Sequence, residues 1–313
     1  MRVIEIQAPG LLTTVQDIGR EGFGPWGVSP SGAADSVCLR LGNRLVGNVQ
    51  GAAGVEMTLF GGTFHFPQGA IVSLTGSDFG ATLNDAAIDL WTSHKILPGQ
   101  TLRLGPTRSG ARCYLCVQGG IEVKPFLGSA STHVLTGLGG FSGRALRKGD
   151  VLKIGPAETP YLRRTIAPHL RAELGRSDAL RVTAGPQVDW FSEASRHAFY
   201  TSAYRVGEES NRMGLRLEGV PVRGAGAGPM ITEGVSLGAV QVPPEGLPII
   251  LFVEQQTTGG YPTIANVISS DLHHVGQLRP RDEIRFEQVS FETARSLLVQ
   301  QESLLTSEGS VLV

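Results

Sequence analysis

The apolar and polar positions first alternate over residues 2–7, Arg-Val-Ile-Glu-Ile-Gln, which predicts a strand closed by the turn Pro9-Gly10. Residues 11–35 hold few large apolar groups and many Gly, Ser and Pro, so they are expected as a long ordered loop. The period then changes. Val37, Leu41 and Leu45 recur at four-residue spacing, predicting a short helix over 33–46 with Asp35 in its first turn. Short apolar runs follow at 54–59, 63–66, 70–74, 88–91, 101–104 and 112–117, most of them bounded by Gly or Pro. That punctuation predicts a β-barrel or sandwich.

Between residues 155 and 180 the pattern breaks at Gly155-Pro156 and Pro160, and Arg163, Arg164 and Arg171 follow. We read a first lobe over 1–160, a linker over 161–177 and a second lobe over 178–313. The second lobe is expected to hold a strand at 179–183, a helix at 188–200 and a terminal helix at 290–302. That last helix would carry Phe291, Ala294, Leu297 and Leu298 on one side. An internal repeat supports two lobes. Glu56 precedes Pro67-Gln68-Gly69-Ala70-Ile71, as Glu233 precedes Pro244-Glu245-Gly246-Leu247-Pro248. Leu146-Arg147-Lys148-Gly149-Asp150 matches Leu278-Arg279-Pro280-Arg281-Asp282, and Leu97-Pro98-Gly99-Gln100 is a third copy. The expected fold is mainly β, two tandem β-barrel lobes with a few short helices, and a cleft between related lobes is a natural place for a site.

Composition narrows the function classes. Of 313 residues, 41% are hydrophobic and 18% charged, which suits a folded globular chain. Lys+Arg is 27 against Asp+Glu 28, so no nucleic-acid footprint spans the whole chain. No apolar run approaches the roughly 18 residues of a membrane span. Glu5 interrupts any signal-peptide core, and the three cysteines Cys38, Cys113 and Cys116 make no disulfide framework, so a cytoplasmic location is expected.

Several motifs invite chemistry and are better read as structure. Cys113 and Cys116 form a C-x-x-C on an expected strand, where positions i and i+3 point to opposite faces. The adjacent His273 and His274 should diverge by about 100° on a helix, and no metal site is expected. The glycine-rich stretches 137–144 and 224–228 lack the Gly-Lys-Ser/Thr of a P-loop and read as turns and a mobile loop. No Met-Lys-Met-like sequence offers a biotin-carrying lysine. Two segments remain: 13–20, with Gln16, Asp17 and Arg20, and 255–262, with Gln256, Thr257, Thr258, Gly260 and Tyr261. Amides, hydroxyls and glycines beside apolar strands can present N–H groups to an anion or planar substrate. They equally suit a well-bonded turn. Arg212, near an expected turn, suits a carboxylate or a structural ion pair.

These segments resemble the allophanate hydrolase subunit 2 family, also called the KipA-like or biotin-dependent carboxyltransferase family, and within it the branch that supplies the C subunit of 5-oxoprolinase. The similar stretches are 13–20, 27–35, 43–48, 119–121, 128–132, 185–187, 210–217, 233–235, 241–243 and 256–262, in family order over nearly the whole chain. Glu254 stands where the family has Asp, Arg281 where a turn Gly is usual, and Ala130 where Arg or Cys is frequent. The resemblance implies two cyclophilin-like β-barrel lobes. It also implies work in a complex with two partner proteins, one allophanate hydrolase subunit 1-like (the B component) and one LamB/YcsF-like (the A component). The implied reaction is the ATP-dependent opening of 5-oxoproline to glutamate, with the chain inactive alone and ATP bound with the partner subunits. Other members transfer a carboxyl group from biotin to urea, and others antagonise a kinase inhibitor.

On this basis Gln16, Asp17 and Arg20 of one lobe are expected to face Gln256, Thr257, Thr258 and Tyr261 of the other, with Gln241 and Gly260 as further contacts. Arg212 would hold a substrate carboxylate. Glu56 or Glu233, at matched positions of the repeat, would act as acid/base or positioning group.

Overall fold

In a computed structural model of the chain, the residues described are 1–157, 160–175, 177, 179–224 and 230–313. The chain is mainly β with a few short helices. Contacts divide it into two units, Met1–Arg20 with Ser31–Gly175 and Ser303–Val313, and Glu21–Pro30 with Arg176–Glu302.

The first unit packs a seven-stranded sheet and a five-stranded sheet around one core. The strand Val3–Ala8 lies inside the larger sheet, between Val151–Ile154 and Thr63–Phe66. The smaller sheet runs Leu12–Gln16, Gly54–Thr58, Arg112–Val117, Ala70–Gly76, Ser93–Ile96. Val15, Val55, Leu74, Leu115, Phe64 and Leu102 meet in the core. The opposite face of the smaller sheet carries a row of polar side chains, Thr14, Glu56, Tyr114 and Thr75, in register across four strands. The helix Ser36–Leu45 lies on that face. Ser73 Oγ donates to Gly42 O at 2.7 Å and Thr75 Oγ1 to Cys38 O at 2.7 Å. A Cβ on Gly42 would sit 2.7 Å from Cys116 Sγ, so this close approach requires glycine. Asp35 is the N-cap, its side chain accepting from Cys38 N at 2.9 Å.

Three local expectations change. Residues 12–16 are a strand, not loop: their β-branched Thr13, Thr14 and Val15 pair along the whole of Gly54–Thr58. The apolar run 88–91 is not a strand. Trp91 takes a φ of 62°, which no ladder accommodates, and the strand starts at Ser93. The expected linker carries structure, with Thr165–Ile166 paired to Val311–Leu312 and the helix Pro168–Glu173 burying Leu170 beside Leu305.

The repeated turns are the same object three times. Arg147 N and Arg279 N donate to the carboxylates of Asp150 and Asp282 at 2.7 and 2.8 Å, and each Asp N returns to the arginine carbonyl at 3.1 Å. In the third copy Leu97 N donates to Gln100 Oε1 at 2.7 Å. Gly149, Gly99 and Arg281 share the left-handed position, at φ 90°, 82° and 73°.

The second unit is a closed barrel of Ala179–Ala184, Thr263–Val267, Ala239–Gln241, Ile249–Leu251, Gly214–Glu218, Tyr204–Val206 and Glu283–Gln288. Its first and last strands pair in parallel. The expected helix 188–200 divides into a turn at Val188–Trp190 and the helix Glu193–Thr201, which Ser192 caps. Phe199 stacks on Phe286 at 4.5 Å. The terminal helix spans Phe291–Thr306.

His273 and His274 do not diverge. Their rings lie 3.9 Å apart at the start of the short helix Leu272–Gln277, and both side chains are buried. Burial pushes the His273 pKa down to about 4, against a smaller upward pull from Asp271. The unfolded chain therefore binds the extra proton between about 6.5 and about 4. This histidine's contribution is present above pH 6.5 and lost as pH falls to 4, worth roughly 3 kcal/mol in full. Urea unfolding between pH 7.5 and 4.5 should show that slope, and His273→Leu should flatten it. An unchanged slope in the variant would contradict it.

Candidate functional site

Asp17 organises the first candidate cluster. It follows the strand Leu12–Gln16 and turns its carboxylate onto residues 129–131. Oδ1 accepts from Ser129 Oγ at 2.6 Å, Ser131 Oγ at 2.5 Å and Gly19 N at 2.8 Å. Oδ2 accepts from Ala130 N at 2.6 Å. A carboxylate this saturated with donors positions its surroundings. Gln16 is fully buried, with Nε2 donating to Thr14 Oγ1 and Thr132 O at 3.0 Å each. Its Oε1 is buried without a hydrogen-bond partner. Arg20, also buried, donates to Ser131 O and lies over the Phe126 ring.

Glu56 belongs to a different arrangement in the same unit. Its Oε2 accepts from Tyr114 OH at 2.7 Å and Ala34 N at 2.8 Å, and Arg112 Nε stands 3.6 Å from Oε1. Tyr114 OH in turn accepts from Asp35 N at 2.7 Å. Burial, and then the Glu56 and Asp35 charges, hold the Tyr114 phenol well above its ordinary pKa, so it stays a donor. This set holds down the start of the helix Ser36–Leu45.

In the second unit the glutamine-rich segment sits over buried amides. Gln241 is 1% exposed, donates to Tyr261 O at 3.2 Å and accepts from Gln256 Nε2 at 3.3 Å. A Cβ on Gly259 would meet Gln241 Nε2 at 2.6 Å, so a larger residue there would push the buried amide aside. Gln187 accepts from Thr263 N at 3.0 Å and donates to Glu233 Oε1 at 2.6 Å. Glu233 is exposed and its strand pairs with Thr258–Gly259. The structure thus brings Glu233, Gln241, Gln256, Thr257, Thr258, Gly260 and Tyr261 into one neighbourhood. Gly260 and Tyr261 border a groove of about 930 Å³ that also includes Trp190, Met230 and Arg223. Glu56 and Glu233 match in the repeat but not in surroundings, one buried among donors and the other at a rim.

Arg212, expected as a carboxylate clamp, is 5% exposed with its Nε 2.5 Å from Glu254 Oε1. A substrate carboxylate would have to compete with Glu254. Ser129, Ser131, Gln187 and Tyr114 were not assigned roles from sequence. The first three lie in the family-like stretches 128–132 and 185–187, which was the available signal. The similar stretch 43–48 is structural: Asn43 donates to Gln50 O and Ala52 O, and Asn48 to Val117 O.

Cys113 faces the core and Cys116 the helix side, and burial pushes both thiols far up. Within 137–144, a Cβ on Gly140 would overlap Thr132 Oγ1, so close packing accounts for that glycine. The stretch 224–228 lies outside the described residues from 225 onward. Among the described residues, no group of His, Cys, Asp and Glu side chains could hold a metal ion, and no helix is long and apolar enough to cross a membrane.

The chain is thus a mostly β protein with a closed barrel, a buried Asp–Ser cluster and a glutamine-lined rim. The chain belongs to the carboxyltransferase domain family, subdomain A and B, which matches residues 26–288. It is 39% identical over 294 residues to the C subunit of 5-oxoprolinase from Escherichia coli (strain K12), covering 93% of each chain. It is 35% identical over 322 residues to "Urea amidolyase" of Saccharomyces cerevisiae, covering 97% of this chain and 18% of that one. The crystal structure of the Kluyveromyces lactis urea amidolyase superposes with a TM-score of 0.92 at 33% identity, over 99% of this chain and 20% of that one. These relatives are parts of enzymes, which supports a role in an enzyme system.

Proposed function

We propose that this chain is one subunit of an ATP-dependent 5-oxoprolinase, a lactam hydrolase that converts 5-oxoproline to glutamate. The observation that carries this reading is the 39% identity spread over 93% of both chains to a relative bearing that enzyme's name. Its partners would be one protein of the allophanate hydrolase subunit 1 type and one of the LamB/YcsF type.

A lactam is a poor electrophile that offers one N–H and one C=O. The half-buried Gln256 amide offers both donor and acceptor, and the buried Gln241 amide orders it from below. Glu233, oriented by Gln187, is exposed at the rim and is the group able to move a proton at the lactam nitrogen. The hydroxyls of Thr257, Thr258 and Tyr261 supply further donors near the same rim. ATP, as second substrate, would phosphorylate the amide oxygen and release ADP; water would then add at the activated carbon, the C–N bond would break as the nitrogen takes a proton, and a second water would cleave the resulting acyl phosphate to glutamate and inorganic phosphate. Gln16, Asp17 and Arg20 act as positioning groups, since their side chains hold the 126–132 segment.

In the assembled complex, Gln241→Ala and Gln256→Ala should each lower kcat/KM for 5-oxoproline by about tenfold to a hundredfold. Unchanged kinetics in both would remove the amide rim from the mechanism. The second reading, biotin-dependent carboxyl transfer to urea, is favoured by the TM-score of 0.92 to a urea amidolyase. Supplying the complex with 5-oxoproline, urea, bicarbonate, ATP, a biotinylated carrier and a biotin carboxylase to charge it separates the two. Carboxylated urea without glutamate formation would select the second.

A further inference from the structure

We propose that a groove in the first unit, walled by Trp91, Arg108, Arg163 and Arg171, binds a small polyanion whose chemistry is that of a di- or triphosphate. The groove holds about 710 Å³ and is separate from the Asp17 cluster in its lining. The inference does not rest on the proposed reaction.

Trp91 is the first observation. Its φ of 62° is a strained value for a bulky side chain. The backbone is held there from both sides: Trp91 N donates to Leu74 O at 2.7 Å, and Ile166 N donates to Trp91 O at 2.9 Å. The indole is thereby fixed in the groove wall, packed on its other side against the apolar cluster that includes Leu41, Ile166 and Leu170. Strain kept in this way marks a position where side-chain placement matters.

Charge is the second. The Arg171 guanidinium lies over the Trp91 ring, 5.9 Å from its centroid. Among the described residues it has no carboxylate partner. Its planar fork is thus oriented by stacking, with its donors left for a ligand. Arg108 is steadied from below, its Nη1 3.1 Å from Asp78 Oδ2, while Asp78 Oδ1 accepts from Gly80 N at 2.7 Å. Arg163 stands 4.0 Å from Asp89, and both side chains are largely in solvent. Such a pair is worth little and yields to a stronger acceptor. Three guanidiniums therefore face one groove, and only Asp78 is firmly committed among its carboxylates. Guanidinium forks match phosphate oxygens bidentately, and several around one groove match linked phosphates better than a single anion.

Isothermal titration of the full chain with pyrophosphate, tripolyphosphate and ATP at low salt tests this. Saturable binding of tripolyphosphate is expected, and Arg171→Gln and Arg108→Gln should each weaken it by about tenfold. Trp91→Ala should weaken it as well, through loss of the platform under Arg171, while Trp91→Phe should retain most of it. Arg108 is 69% exposed, so its substitution leaves the fold intact and keeps the test valid if Trp91→Ala unfolds. Equal affinity for tripolyphosphate and ATP assigns recognition to the phosphates alone. Tighter binding of ATP adds the nucleoside as a contact, and either result supports the site. No saturable binding of any of the three, or binding unchanged in both arginine variants, overturns it.

Discussion

Glu254→Ala is expected to destabilise the second unit by about 3–5 kcal/mol, the usual loss when one partner of a buried ion pair is removed. The Arg212 and Glu254 side chains are 5% and 3% exposed, so the substitution takes the carboxylate away from a guanidinium that is itself buried. The pair also ties two backbone segments, because Glu254 N donates to Arg212 O and Phe252 N to Met213 O, both at 2.8 Å. These segments lead directly into Gln255 and Gln256, so a loosened pair should disturb the amide rim as well. Thermal unfolding should fall by roughly 10 °C or more. Replacing both partners together, Arg212→Met with Glu254→Leu, should restore much of the stability, since no charge is then left buried. Glu254→Asp should cost less than Glu254→Ala because charge is kept while reach is lost. A single variant that melts like the wild type would show that the pair is not formed.

Asp17→Ala is expected to be as damaging, by about 3–4 kcal/mol, for a different reason. The substitution strands the Ser129 and Ser131 hydroxyls and the Ala130 N–H, all within 2.6 Å of the carboxylate. It also frees residues 129–132, against which Gln16 and Arg20 are set. Asp17→Asn keeps the shape and one acceptor oxygen, and the two serine hydroxyls can rotate to accept, so it should lose about half as much. Activity in the complex should follow stability in this order, with KM affected along with kcat. If Asp17→Asn were fully stable yet inactive, the carboxylate would be acting in the chemistry and not as a positioning group.

Much of this molecule was legible in its residues. The helix Ser36–Leu45 followed from its four-residue period, and Asp35 was placed at its start, one position outside the first turn. The repeated Leu-Arg-x-x-Asp turn proved to be a real geometric unit, with Arg281 adopting the conformation that Gly149 takes in the first unit. What periodicity missed were elements fixed by distant partners. Residues 12–16 hold their strand because Gly54–Thr58 lies beside them, which no local window reveals. Residues 88–91 look like a strand by composition, yet Trp91 is turned by contacts from Leu74 and Ile166.

The site was legible in parts. Gln241, Gln256 and Tyr261 do adjoin one another, and Glu233 joins them through the pairing of Glu233–Gly234 with Thr258–Gly259. The partners of Asp17 lie more than a hundred positions away, at Ser129 and Ser131. Their presence in a family-like stretch gave their importance but not their hydrogen bonds. Repeat position alone did not define Glu56, whose surroundings are set by Tyr114 and Ala34 from other elements.

The central claim is that this chain is a necessary subunit of a 5-oxoproline-opening enzyme. The most direct measurement is 5-oxoproline-dependent ATP hydrolysis with glutamate release, using this chain mixed with its LamB/YcsF-like and allophanate hydrolase subunit 1-like partners and each omitted in turn. Glutamate is expected only when all three are present. An assembled mixture that forms none, or one that forms as much without this chain, would contradict the claim.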